Sequence, residues 1–158
     1  MTYRNQDSIE MFERMTGMGD YYASGRPIRV DADVIISDIC SKLPVTREDV
    51  ILDVGCGTGV VTLPLSKRCK AIHALDAGEK VIEQARLRAQ QENVTNVTYH
   101  VGGALSLPFE NNFFDHVLMY AVIHYLENEE QVKKCVSELV RVCKGGGRIL
   151  IAEIPDQK

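Results

Sequence analysis

Short continuous apolar runs alternate along this chain with longer stretches in which apolar residues return every three or four positions. Val50-Ile51-Leu52-Asp53-Val54 is a run of strand length, and a glycine turn leads from it into a helical candidate from Val60 to Arg68. Ala71 to Leu75 predicts a second strand, Gly78 to Gln91 a helix with Val81, Ile82 and Ala85 on one face, and Val97 to Val101 a third strand. Asp115 to Val122 predicts the fourth. The next helix, Glu129 to Lys144, shows Val132, Val136, Leu139, Val140 and Cys143 as its buried face; Gly145-Gly146-Gly147 breaks it, and Arg148 to Ile154 predicts strand five.

Upstream, Val30, Val34, Ile35, Ile39 and Leu43 recur at helical spacing between Pro27 and Pro44, which predicts an amphipathic helix packed on the sheet. Residues 1–28 are polar and rich in Met, Tyr and Gly, with one helical candidate from Ser8 to Met15. They read as a mobile leader before a single domain over 29–158. Strands separated by helices need crossover connections, so the class is α/β: a doubly wound, mostly parallel sheet with helices on both faces.

Composition narrows the function. Of 158 residues 45% are hydrophobic and 25% charged, which is enough apolar material for one real core and excludes disorder. The net charge of −4 gives no general attraction to nucleic acid or to an anionic membrane, which favours a small-molecule partner. The five cysteines form no C-x-x-C pair, so neither a disulfide framework nor a zinc site is expected, and a reducing cytoplasm suits them. No metal-ligand spacing appears. The N-terminal residues lack a signal-peptide apolar run, and no stretch approaches the roughly 20 apolar residues that cross a bilayer.

The chemistry concentrates after the first strand. In doubly wound sheets ligands sit beyond the carboxyl ends of the strands, and there Gly55-Cys56-Gly57-Thr58-Gly59 offers backbone amides unobstructed by Cβ atoms, at the positive end of a helix. A nicotinamide-binding turn would read G-x-G-x-x-G; here the third glycine comes one residue early, which counts against an NAD-dependent oxidoreductase. Asp76 follows strand two, roughly twenty residues on, where a carboxylate accepts hydrogen bonds from ribose hydroxyls, so an adenosine-containing ligand is implied. Asp53 either meets the ligand or holds turn amides. Cys56 needs only to be small. His73, His100 and Asp115 are explained by buried or edge positions, Pro64 by a local kink, and Glu127, Glu129 and Glu130 by the start of the last helix.

ILDVGCGTG at 51–59, ALD at 74–76, LPFENNFFDHVLM at 107–119 and LVRVCKGGGRILIAEIP at 139–155 together resemble the class I S-adenosylmethionine-dependent methyltransferases, most of all the type 11 small-molecule group. The resemblance covers residues 48–155 and implies a Rossmann-like sheet and methyl transfer from S-adenosylmethionine, leaving S-adenosylhomocysteine. It implies that Gly55, Cys56, Gly57 and Gly59 lie against the methionine part of the cofactor, that Asp76, with Ala77 beside it, holds the ribose, and that Gly103, Ala104 and Leu105 frame the adenine. The backbone of Tyr120 would meet the methionine amino group.

Sulfonium methyl transfer needs alignment and dryness more than a catalytic triad, with a base only where the acceptor must lose a proton. His124 is the candidate base; Tyr125, Tyr21 and Tyr22 are candidates for the acceptor pocket or a lid. Three departures from the family pattern stand out. Gly103 replaces an aspartate whose carboxylate bonds the adenine amino group, which should weaken binding by about 0.5 to 1.5 kcal/mol. Gly145 replaces a proline. The usual antiparallel strand pair after strand five is missing, which predicts an open strand-five edge covered by a second copy or by the N-terminal segment. A binding module that keeps the cofactor fold without turnover is the alternative reading.

Overall fold

The computed structural model describes residues 32–152. The expected leader, with Tyr21 and Tyr22, and the end of strand five at Ile154 lie outside the described residues. Within them the order is α1 (Ala32–Lys42), β1 (Val50–Val54), α2 (Thr62–Ser66), β2 (Ala71–Asp76), α3 (Glu79–Gln91), β3 (Val97–Val101), β4 (Phe114–Tyr120), a 3₁₀ turn (Ile123–Tyr125), α4 (Glu129–Val142) and β5 (Cys143–Ala152). All pairings are parallel, in the order β3-β2-β1-β4-β5, so the chain changes direction across the sheet between β1 and β4. No antiparallel pair occurs among the described residues, and β5 is an edge.

Central β1 is buried on both sides, which is why it reads as an unbroken apolar run rather than an alternating one. Ile51 belongs to a core made with Ile35, Ile36 and Ile39 of α1, Leu63 and Leu65 of α2, and Ile82, Ala85 and Ala89 of α3. Leu52 and Val54 point the other way, into a core with Phe114, Val117, Met119 and the α4 residues Cys135, Leu139 and Val142. Each fully buried Leu, Ile or Phe contributes roughly 1.5–3 kcal/mol. Helices therefore do cover both faces.

Four local expectations need correction. The helix expected over Val60 to Arg68 is only Thr62–Ser66, and Pro64 falls in its first turn, where a missing N–H is tolerated. Strand β4 begins and ends earlier than expected, because Ala121 turns to φ 58 and leaves the extended conformation. On α4 the buried stripe is Cys135, Leu139 and Val142, while Val136 and Val140 are exposed; both stripes contain Leu139 and both have helical spacing, so packing alone chose between them. Similarly, Val34 of α1 faces outward.

The fourth correction is at β5, which starts at Cys143 instead of after the glycines. Cys143 pairs with Phe114 and Arg148 with His116, so Lys144–Gly147 bulge opposite Asp115 alone. A Cβ on Gly147 would stand 2.3 Å from the Asp115 carbonyl oxygen, so only glycine fits there. Asp115 fastens this corner: one oxygen accepts from the Val50 N–H at 2.8 Å and the other from Lys144 Nζ at 2.7 Å.

The regular alternation of strand and helix also fails between β3 and β4, where residues 102–113 cross without a helix. Aromatic rings fill that side instead. His73 and His100 stack, with His73 Nδ1 3.0 Å from His100 Nε2, and Phe109, Phe113 and Phe114 meet the His73 ring edge-on. Burial lowers both imidazole pKa values, so the pair stays neutral near pH 7. Arg141 then pins the crossing from α4, donating to the carbonyls of Leu107 (2.9 Å) and Phe109 (2.7 Å), while Glu138 accepts from the Leu107 N–H (2.7 Å).

Candidate functional site

The parallel order brings four loops together at the carboxyl ends of the central strands: the turn 55–59 after β1, Ala77–Gly78 after β2, 102–105 after β3 and 121–125 after β4. Gly55, Gly57 and Gly59 all take left-handed φ, at 78°, 55° and 86°. Gly55 is the tightest: a Cβ there would stand 2.2 Å from Val122 Cγ2, so the β1 turn and the β4 loop close on each other only over a glycine. The Gly55 and Cys56 N–H groups donate to the Leu75 carbonyl, at 2.7 and 3.1 Å, which fixes the turn onto β2.

Asp76 joins two of these loops. Its Oδ2 accepts from the Gly57 N–H and its Oδ1 from the Gly78 N–H, both at 3.0 Å. Burial raises the Asp76 pKa and these backbone bonds pull it back, so the site contains a desolvated carboxylate. The Ala77 N–H also bonds this carboxylate, and of its about four acceptor positions one is left for a hydroxyl donor. Next to it, the Gly102 N–H donates to the Asp76 backbone carbonyl at 2.9 Å, which sets residues 102–105 beside the carboxylate. Ala104 and Leu105 pack half-buried on the second core, whereas Gly103 and Ala77 are exposed.

Asp53 lies beneath the turn, bonded to a side chain of α2. It is 2% exposed, and Oδ2 accepts from Thr62 Oγ1 at 2.6 Å, which ties β1 to α2 beneath the turn. Burial pushes its pKa up to about 6, against the Thr62 bond and with the help of the Asp76 charge. The Cys56 thiol is also buried, and its pKa is pushed far up by burial and by both carboxylates, so it is inert. Tyr120 ends β4 half-buried. His124 and Tyr125 follow it in the 3₁₀ turn, with ring centroids 4.1 Å apart.

Three residues of this region escaped sequence reading. Ala121 holds a left-handed φ that is unfavourable for a residue with a Cβ, Val122 caps Gly55, and Thr58 Oγ1 is buried with no hydrogen-bond partner. An orphaned hydroxyl inside a glycine turn, beside a desolvated carboxylate, suits a polar ligand with hydroxyl and charged groups. No group of three or more His, Cys, Asp or Glu able to hold a metal occurs among the described residues, and no helix among them is long and apolar enough to cross a membrane.

Residues 52–151 match the family model described as a methyltransferase domain. The chain belongs to the class I S-adenosylmethionine-dependent methyltransferase family. It is 34% identical over 106 residues to the uncharacterized methyltransferase YcgJ of Bacillus subtilis, over 67% of this chain and 41% of that protein. It is 31% identical over 114 residues to the demethylmenaquinone methyltransferase of Tropheryma whipplei, over 72% of this chain and 45% of that one. The chain thus spans under half the length of these curated relatives. Its fold matches the crystal structure of YcgJ with a TM-score of 0.70 at 30% identity, covering 75% of this chain and 50% of that one. The [4+2]-cyclase SpnF shares the fold as well, with a TM-score of 0.76 at 23% identity, covering 92% of this chain and 58% of that one. Methyltransferase architecture can therefore carry other chemistry.

Proposed function

We propose that the chain catalyses methyl transfer from S-adenosylmethionine to a small-molecule acceptor in the cytoplasm. The observation that carries the reading is the joint between Asp76 and Gly57: a carboxylate suited to a ribose, bonded to an open glycine turn, in a member of this family. Gly55, Cys56, Gly57 and Gly59 would hold the methionine end through backbone amides, Thr58 Oγ1 would find its partner there, and Asp76, with Ala77 beside it, would take the ribose hydroxyls. Gly103, Ala104 and Leu105 would frame the base, and the Tyr120 backbone would meet the amino group. The cofactor brings a methyl group already activated on a sulfonium sulfur, so the protein's work is alignment and exclusion of water.

His124 receives the acceptor's proton on a ring nitrogen, and Tyr125 lines the acceptor side; both follow β4 directly. Tyr21 and Tyr22 of the leader would close over the site. Free Cys40, Cys56, Cys69, Cys135 and Cys143 support a reducing compartment. Pairing of two copies along β5 is proposed from its place at the sheet edge, and light scattering after size exclusion that gives a strict monomer would remove it. The SpnF likeness and Gly103 favour a second reading, a cofactor-binding module without methyl transfer.

Calorimetric titration with S-adenosylmethionine and S-adenosylhomocysteine tests the site, with micromolar binding of both expected; no binding of either refutes it. Transfer of radiolabelled methyl to metabolite extracts separates the enzyme from the module. Full turnover by His124→Ala on the acceptor so found would exclude His124 as the base.

A further inference from the structure

The segment after β3 has an unusual surface for one that would face a purine. We infer that it holds the cofactor's base by shape alone and leaves the six-position amino group unread, so that this chain accepts adenosyl compounds altered at that group. This rests on the cofactor reading proposed above.

The placement follows from the sheet. Asp76 lies at the end of β2, between β1 with its glycine turn and β3. With the ribose on Asp76 and the amino-acid tail over the ends of β1 and β4, the base has one direction left, across the end of β3. There the Gly102 N–H is bonded to the Asp76 carbonyl, so residues 102–105 follow directly under the base. The edge of the purine farthest from the ribose, which carries the amino group, reaches beyond Gly102.

The described segment after β3 brings no polar side chain to that edge. Val101, Gly102, Gly103, Ala104 and Leu105 have no polar side chain among them. Ala104 and Leu105 are packed on the second core and offer apolar contact, and the Gly103 carbonyl is turned back to the Ser106 N–H at 3.4 Å. A Cβ built on Gly103 meets no heavy atom within 4 Å, and its φ lies outside the left-handed region, so the position is open and conformationally ordinary. A site that bonds a polar group rejects analogues lacking it by large factors, because its own partner is left unpaired; a site without the partner cannot. The same opening gives room for a bulky substituent.

The test is calorimetry on the full chain with three ligands: S-adenosylhomocysteine, its N6-benzyl derivative, and the analogue with hydrogen in place of the amino group. Both altered ligands should bind within tenfold of the parent. If the parent binds and either altered ligand is weaker by more than tenfold, the inference falls while the cofactor reading stands. If none of the three binds, the cofactor reading itself falls and takes the inference with it. Gly103→Asp, checked for folding by circular dichroism, should raise the discrimination between the parent and both altered ligands to at least tenfold; an unchanged ratio would remove Gly103 from the base edge. Should that variant not fold, the wild-type comparison alone decides.

Discussion

Arg141→Ala should loosen the crossing that stands in for a helix between β3 and β4. The guanidinium donates to the Leu107 and Phe109 carbonyls and to Asn111 Oδ1 (2.9 Å), and forms a two-bond pair with Glu138 at 2.7 and 2.8 Å. Losing the two carbonyl bonds costs about 2 kcal/mol at about 1 kcal/mol each. The bonds from Arg141, with smaller help from the Leu107 N–H and the Lys134 charge, hold the Glu138 pKa down at about 2 from an ordinary 4.5. That difference, 4.5 − 2 = 2.5 units, is an upper limit of about 3.4 kcal/mol, which solvent screening of a pair 19–30% exposed reduces to about 1 kcal/mol. The sum, about 3 kcal/mol, should lower the melting temperature by roughly 6–12 °C for a chain of this size.

The pH dependence gives a second handle on the same substitution. A carboxylate whose folded pKa is depressed contributes stability above its unfolded value, near 4.5, and loses it as pH falls through the folded value near 2. By pH 3 less than half of the pair's share is left, so wild type and variant should lie closer at pH 3 than at pH 7. Thermal unfolding followed by circular dichroism at the two pH values measures both. A drop below about 2 °C at pH 7, or an equal gap at both pH values, would refute the assignment of Arg141 and Glu138 as the anchor of this loop.

Gly55→Ala forces a Cβ into Val122 at a left-handed φ and should weaken S-adenosylhomocysteine binding at least tenfold in calorimetry, with Val122→Ala in the same chain restoring part of it. Asp76→Asn keeps one acceptor oxygen for the backbone N–H donors of Gly57, Ala77 and Gly78, so affinity should fall by about 1.5–3 kcal/mol; an unaltered affinity would displace Asp76 from the ribose. Asp53→Asn should gain on wild type as pH rises. A carboxyl whose folded pKa is raised, here to about 6 from 3.8, contributes fully below its unfolded value and loses that contribution as pH climbs through 6. The advantage of the amide should grow to at most about 3 kcal/mol between pH 4 and 8 in melting curves, and a flat difference would mean that Asp53 does not titrate in this window.

What could be read from the sequence was whatever depends on periodicity or on backbone chemistry. β1 and β3 fall within their expected bounds, the helix Gly78 to Gln91 buries the expected Val81, Ile82 and Ala85, and the glycine turn and Asp76 meet as their spacing suggested. The failures lie where two local solutions were equally good until tertiary contact chose. The α4 stripe through Val136 and Val140 is as helical as the one through Cys135 and Val142. The glycines 145–147 look like a terminator, yet they form a bulge because Asp115 accepts Lys144 across them. The stacking of His73 on His100 depends on strand register, and Ala121 gives no hint in its own chemistry of the left-handed turn imposed on it.

The switch between β1 and β4 also sets the order in which the chain can assemble. β1, β2 and β3 are neighbours in sequence and in space, and their pairings close short loops. β4 reaches β1 only by bridging 65 residues, the separation of Val50 and Asp115 in the bond that locks them. Loops of that span form late because their closure entropy is lost before any contact rewards it. One part of the candidate site, from Gly55 to Gly78, thus belongs to the early, local part, while Val122, the residue that shuts the turn at Gly55, arrives with the last strand pairing. A ligand that spans both halves recognises only the finished chain, so it acts as a late clamp on folding, slowing unfolding without hastening the first collapse.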